Sequence, residues 1–207
     1  MTKQWLRAHK KDPYYKAAKS AGYRSRAAYK LNEINKKFKI FRPGDTVLDL
    51  GASPGGWSQV ALERVGGSGL VIGVDIDSFN SLNTNNMHFL RGDITDPNIV
   101  IKIQELTNAR AINIIISDIA PNISGHYSMD QARSIYLAEN VLKLTDKLLN
   151  RNGKLVLKVF EGEDFLDFKL KVKQKFRNVR YFSPKASRAK SSEIYVIGMG
   201  FIAGEIV

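Results

Sequence analysis

Lys158 lies in the run Leu155-Val-Leu-Lys-Val-Phe160, a charged side chain within a segment whose neighbours all belong in a core. A buried ammonium is costly unless it is paired or gives up its proton, so this position requires a partner. Glu193, which opens Glu193-Ile-Tyr-Val-Ile197, is a candidate, with Lys30 as a further member. The alternative is a lysine that reaches solvent from the end of its strand. Two lysines and two acids, the second being Asp118, around one point would suit orienting or deprotonating a hydroxyl. A lysine partly desolvated beside a second cation can act as a base near neutral pH.

A second group of residues points to a cofactor. Asp49-Leu-Gly-Ala-Ser-Pro-Gly-Gly-Trp-Ser-Gln59 follows the apolar run Thr46-Val-Leu48, the pattern of a strand, a glycine-rich turn and a helix start. It contains neither Gly-Lys-Ser/Thr nor G-x-G-x-x-G, and Pro54 removes a backbone donor where a pyrophosphate would need one. A nucleoside cofactor without a diphosphate fits better, and S-adenosyl-L-methionine is the leading candidate. Asp75 ends the next apolar run about twenty residues on, where a carboxylate would accept from both ribose hydroxyls. Asp93 and Asp118 end the two runs after it. Any one of these could be a helix cap or a turn residue. Three in register match the ribose, adenine amine and methionine end of a cationic adenosyl cofactor, whereas NAD would account for Asp75 alone.

The elements that must position these groups alternate. Strands are expected at Thr46–Leu50, Leu70–Asp75, Met87–Leu90, Ala111–Ser117, Lys154–Phe160 and Glu193–Phe201. Helices are expected at about Gly56–Val65, Asn98–Leu106, Met129–Leu149 and Phe165–Phe176. A further helix over Ser25–Phe38 has one apolar face (Ala27, Leu31, Ile34, Phe38) with Lys30 at its margin. Uninterrupted apolar runs such as Ile112–Ile116 imply strands covered on both faces. The fold class is therefore α/β, a Rossmann-like doubly wound sheet in a single domain. Residues 43–207 form the domain proper, and residues 1–42 a basic N-terminal helical extension.

Charge suggests the partner. The chain has 207 residues and a net charge of +12. Residues 1–42 carry thirteen Lys/Arg against two acids, residues 43–168 carry ten against sixteen, and residues 169–190 carry nine and no acid. Trp5, Tyr14, Tyr15, Tyr23 and Tyr29 are interleaved with the first basic flank. Two such flanks around an acidic centre suit RNA, phosphates being held by the cations and bases by the rings; a solvated basic surface is the alternative. No cysteine is present and His9, His88 and His126 are scattered, so no metal site is expected. No apolar run approaches the length of a membrane span, and a cytoplasmic monomer is expected.

Five motifs in order resemble the FtsJ (RrmJ-type) family of S-adenosylmethionine-dependent RNA 2′-O-ribose methyltransferases. They are Arg24-Ser-Arg-Ala-Ala-Tyr-Lys30-Leu, the glycine turn Asp49–Gln59, Ser117-Asp-Ile-Ala-Pro-Asn122, Leu157-Lys-Val-Phe160 and Ser187-Arg-Ala-Lys-Ser-Ser-Glu193-Ile-Tyr195. The resemblance implies a catalytic tetrad of Lys30, Asp118, Lys158 and Glu193. It also implies cofactor-binding positions at Gly55, Trp57, Asp75, Asp93 and Asp118. It implies a uridine in the A loop of large-subunit ribosomal RNA as target, within the assembled particle. A tRNA anticodon loop is the alternative target, and a non-catalytic RNA-binding ribosome-assembly factor the alternative of another class. An intact tetrad and glycine turn weigh against the last.

Overall fold

Every residue of β1 (Thr46–Leu50) is buried, as expected of a strand covered on both faces. The computed structural model describes residues 12–78, 82, 84–108, 110–188 and 191–202. Trp5, His9 and the rest of 1–11, and Lys190 in the second basic flank, lie outside the described residues. Two helices precede β1: α1 (Pro13–Ser20) and α2 (Ala27–Phe38). After it come α3 (Gly56–Val65), β2 (Leu70–Asp75), β3 (Met87–Arg91), α4 (Ile99–Thr107), β4 (Ile112–Ser117) and α5 (Tyr127–Leu148). The chain continues as β5 (Leu149–Phe160), α6 (Phe165–Lys175), β6 (Phe176–Phe182) and β7 (Glu193–Phe201).

Among the described residues the strands form one sheet in the order β3-β2-β1-β4-β5-β7-β6. The first five run parallel, and β7 lies antiparallel between β5 and β6. The order reverses beside β1, so the carboxyl ends of β1, β2 and β4 open onto a crevice where ligands of such sheets bind. Two cores hold helices to the sheet. Leu31, Ile34, Trp57 and Val60 of α2 and α3 pack on Ile114, Ile116 and Val156 on one face. Ile99, Ile103, Val141 and Phe168 of α4, α5 and α6 pack on Ile115, Leu155 and Leu157 on the other.

The expected elements are present, with two additions. Asp12, whose side chain accepts from Tyr14 N and Tyr15 N, caps α1, and Pro13 at the first helical position supplies a preset φ. β6 occupies the segment that composition marks only as a basic flank. It leaves α6 without an intervening turn and, as an edge strand, exposes Arg177, Asn178 and Arg180 to solvent. In α2 the buried stripe is Ala28, Leu31 and Ile34, and Lys30 is itself buried rather than marginal.

Candidate active site

Asp75, Asp93 and Asp118, at the ends of β2, β3 and β4, line one cavity of about 610 Å³ together with Gly51 and Ser53 of the glycine turn. Asp75 is oriented by backbone: Oδ2 accepts from Ser53 N and Oδ1 from Asp77 N, both at 2.8 Å. Asp93 Oδ1 accepts from the backbone and hydroxyl of Thr95, each at 2.8 Å. Each carboxylate oxygen has two acceptor sites, so turn bonding and ligand binding are compatible at both positions. Ile76, Ile94 and Leu137 give the same cavity apolar walls. Acids for hydroxyls and amines between apolar walls fit an adenosyl group, and no cluster of basic side chains is present in the lining for a diphosphate.

The four expected catalytic residues form two ion pairs, and one member, Asp118, also lines this cavity. The register aligns Ser117 with Leu157 and Lys158 with Tyr195, which brings Asp118 level with Lys158 on the α2 face. Lys158 Nζ is 3.0 Å from Asp118 Oδ1 and also donates to the Asp118 carbonyl. The partner of Lys158 is therefore Asp118, not Glu193, which is paired across the ladder with Phe160. Glu193 Oε1 is 2.5 Å from Lys30 Nζ, an ion pair too poorly aligned for a good hydrogen bond.

Tyr195 joins the two pairs, although nothing in the sequence singles it out. Its hydroxyl donates to Asp118 Oδ1 at 2.7 Å, and Lys30 Nζ is 5.7 Å from its ring centroid. Burial, then the Asp118 and Glu193 carboxylates, push this phenol well above its usual range, so it remains a donor. Burial alone would raise the Asp118 carboxyl as well, but Lys158 and Lys30 outweigh it and hold the group below the ordinary carboxylate range. Asp118 is thus a stable anion shared between the cavity and the lysines. An aromatic within a β-branched strand reads as core, which conceals the role of the Tyr195 hydroxyl.

Gly55 and Trp57 are placed differently from the three acids. Gly55 caps α3 with φ +105°, a conformation a side chain would strain, and Trp57 is buried beside Tyr195. The Trp57 indole donates to Ala27 O at 2.9 Å, and its ring is 5.7 Å from that of Tyr195. Neither residue is in the cavity wall; both hold the elements that form it.

Asp49 lies under the glycine turn. Its Oδ2 accepts from Ser58 Oγ at 2.6 Å, while the buried Oδ1 has no partner. Burial, with smaller contributions from Asp118 and Asp75, pushes its carboxyl up to about 7. The unfolded chain releases this proton near pH 4, so folding takes up a proton between about pH 4 and pH 7 and stability falls as pH rises across that interval. Asp49→Asn keeps an acceptor for Ser58 and cannot ionise. Chemical denaturation should show it about 2–4 kcal/mol more stable than the parent at pH 8, since each tenfold change in proton affinity is worth ~1.4 kcal/mol, and similar at pH 4. Equal stability at pH 8 would contradict a buried, reluctant carboxyl.

Two unlike rims flank the cluster. On the α2 face, Glu33 accepts from Lys185 N and Ala186 N, and Arg26 donates to Ala186 O, which fixes the loop carrying Lys185 and Arg188 beside Lys30. Toward the α5 face lies the segment after Asp118, which is free of Lys, Arg, Asp and Glu from Ile119 to Met129. The second basic flank is therefore divided. Lys185 and Arg188 lie near the site, whereas Lys171 and Lys175 of α6 pair with Glu139 and Asp146 on the other face. Among the described residues no group of His, Asp and Glu is arranged to hold a metal ion, and no helix is long and apolar enough to cross a membrane.

Comparison with known proteins accords with this geometry. The sequence profile of the FtsJ-like methyltransferases matches residues 23–201. The chain is 47% identical over 201 residues to the ribosomal RNA large subunit methyltransferase E of Methanobrevibacter smithii, covering 97% of this chain and 95% of that protein. It is 45% identical to the protein of the same name from Acinetobacter baumannii, covering 96% and 91%. A crystal structure of a ribosomal RNA methyltransferase from Plasmodium falciparum superposes with a TM-score of 0.79 at 30% identity, covering 88% of this chain and all of that one. The fibrillarin of Methanococcus jannaschii, at 16% identity and a TM-score of 0.53, shares the fold alone.

Proposed function

The chain belongs to the FtsJ-like methyltransferase family, and from that premise we propose that it methylates a ribose 2′-hydroxyl of RNA with S-adenosyl-L-methionine as donor. The proposed target is a uridine in the A loop of large-subunit ribosomal RNA within the assembled particle. The observation that carries this reading is the position of Asp118: the residue lines the cavity, and its carboxylate forms the buried pair with Lys158. A substrate hydroxyl at Lys158 would thus be adjacent to the methyl end of a cofactor in the cavity.

S-adenosylmethionine, when bound, supplies an activated methyl group on a cationic sulfonium. Asp75 and Asp93 would hold its ribose and adenine, and the Asp118 anion favours the positive charge nearby. Lys158 is the group that orients the attacking hydroxyl and, once it has given up its own proton to solvent, receives that of the hydroxyl. Lys30 and Glu193 hold the same hydroxyl from the α2 side, and Tyr195 keeps Asp118 in place. With the electrophile already activated, alignment of the hydroxyl supplies much of the rate. Residues 1–42 and the Lys185–Arg188 loop would hold RNA phosphates beside residues 43–207, the methyltransferase domain, and binding should weaken steeply as salt rises.

The glycine turn gives a prediction for the cofactor. Gly51 has φ +77°, and a Cβ there would be 2.9 Å from Ile119 Cβ, the residue after Asp118. Gly51→Ala is strained by both and shifts the wall of the cavity. Calorimetric titration should show S-adenosylmethionine binding at least about tenfold weaker, since errors of ~1 Å at such sites have effects of this order or larger. Unchanged affinity would remove the turn from the cofactor site.

The substrate is tested by transfer of a labelled methyl group to purified large ribosomal subunits, free ribosomal RNA and tRNA, each from a source lacking the enzyme. Label in the large subunits alone is the expected result. Label in tRNA would move the target to an anticodon loop, and label in none, with cofactor still bound, would favour a non-catalytic assembly role.

A further inference from the structure

Residues 119–122 line the cavity, but the remainder of the segment between Asp118 and the body of α5 has a construction that cofactor binding and hydroxyl activation do not use. Residues 122–129 are exposed or half-buried throughout, and three of them are large, apolar and exposed: Ile123 at 66%, Tyr127 at 61% and Met129 at 44% exposure. Exposed apolar groups this close in sequence, in a stretch without Lys, Arg, Asp or Glu on a chain of net charge +12, have the composition of a binding surface.

The surface is also rigidly held. Asp130, buried in the first turn of α5, accepts from Ser124 N and Ser124 Oγ at 2.8 Å and from Gly125 N at 3.1 Å. These bonds hold the Asp130 carboxyl below its ordinary range, so it remains ionised. His126 N donates to Ser124 Oγ at 3.2 Å, and Gly125 turns the chain with φ +88°. The Tyr127 hydroxyl donates to Glu161 O at 2.5 Å, three residues beyond Lys158, which fixes the ring over the end of β5. Phe160 N, bonded to Ser134 Oγ at 3.0 Å, docks α5 at the same edge.

We propose that Ile123 and Tyr127 form the seat for an unstacked base of the RNA substrate, and that Asp130 is the positioning residue that holds this seat beside Lys158. The inference rests on RNA being the substrate. A ribose at Lys158 lies between two surfaces: the basic loop at Lys185 and Arg188 on the α2 face and the apolar rim toward α5. The phosphates of that nucleotide suit the first. The base, whose π-face stacks on aromatic and aliphatic side chains without regard to sequence, suits the second. A ring already bonded to backbone loses little freedom when a base stacks on it.

The test separates base from backbone. Binding of a short single-stranded oligouridylate is compared with binding of an abasic ribose-phosphate chain of equal length, for the parent protein, the double variant Ile123→Ser/Tyr127→Ser, and Asp130→Asn. S-adenosylhomocysteine affinity reports that each variant is folded and should be unchanged. The parent should favour oligouridylate by about tenfold, within the range of one stacked base. The double variant should lose that preference while binding the abasic chain as before. Asp130→Asn, which contacts no RNA, should lose most of it. A preference retained in the variants would overturn the seat. Equal binding of both oligomers by the parent would overturn the seat and leave RNA as substrate, and binding of neither would overturn both.

Discussion

Lys158→Met should abolish methyl transfer while cofactor binding survives. The rate should fall at least about 100-fold, the lower end of what a positioned acid or base contributes, and S-adenosylmethionine affinity should change less than about threefold. The side chain is buried against Asp118 and is not among the residues that line the cavity proposed for the cofactor, which is why the two effects separate. Lys158→Arg should not rescue activity, because a planar guanidinium cannot occupy the position of a compact ammonium bonded to both the carboxylate and the carbonyl of Asp118. Single-turnover transfer and calorimetric titration on the same preparations read the two quantities. A rate above about a tenth of the parent's would correspond to a loss of under ~1.4 kcal/mol and would remove Lys158 from the proposed role.

Asp118→Ala should be the most destabilising change at the site. It leaves the Lys158 ammonium with one carbonyl partner and the Tyr195 hydroxyl with none, both in buried surroundings. Breaking a buried pair from one side typically costs about 3–5 kcal/mol, a large share of the roughly 5–15 kcal/mol that holds an ordinary domain together. Adding Lys158→Met to this variant removes the unpaired charge and should restore most of the loss. Denaturant unfolding of the two single variants and the double variant gives the coupling energy. Simple additivity of the two losses would show that the pair does not act as a unit. Neither single variant nor the double should transfer methyl groups.

The acid-lined cavity is legible in the sequence for a physical reason. Parallel strands covered on both faces read as uninterrupted apolar runs, so a charged residue at the end of a run also marks the end of a strand. Asp75, Asp93 and Asp118 stand at such ends, and the structure brings all three to one cavity. The partner of Lys158 is not legible. Both Asp118 and Glu193 are acids near the correct ends of strands, and only the register of β4 on β5 selects Asp118. Tyr195 is hidden because its ring belongs in the core and only its hydroxyl reaches the site. β6 is hidden because an edge strand carrying Arg177, Asn178 and Arg180 among half-buried residues is indistinguishable by composition from a solvated basic flank. The apolar rim at Ile123 and Tyr127 gives no periodic signal, and Asp130 reads as an ordinary first-turn acid until its bonds to Ser124 and Gly125 are seen.

The central claim is that the methyl group goes to a ribose oxygen, and the position of that group in the product tests it most directly. RNA methylated with labelled donor is hydrolysed in alkali, which cleaves every linkage whose 2′-hydroxyl is free. The expected result is label confined to an alkali-resistant dinucleotide. Label released in a mononucleotide carrying the methyl group on its base would contradict the assignment of Lys158, Asp118, Lys30 and Glu193 to a ribose hydroxyl.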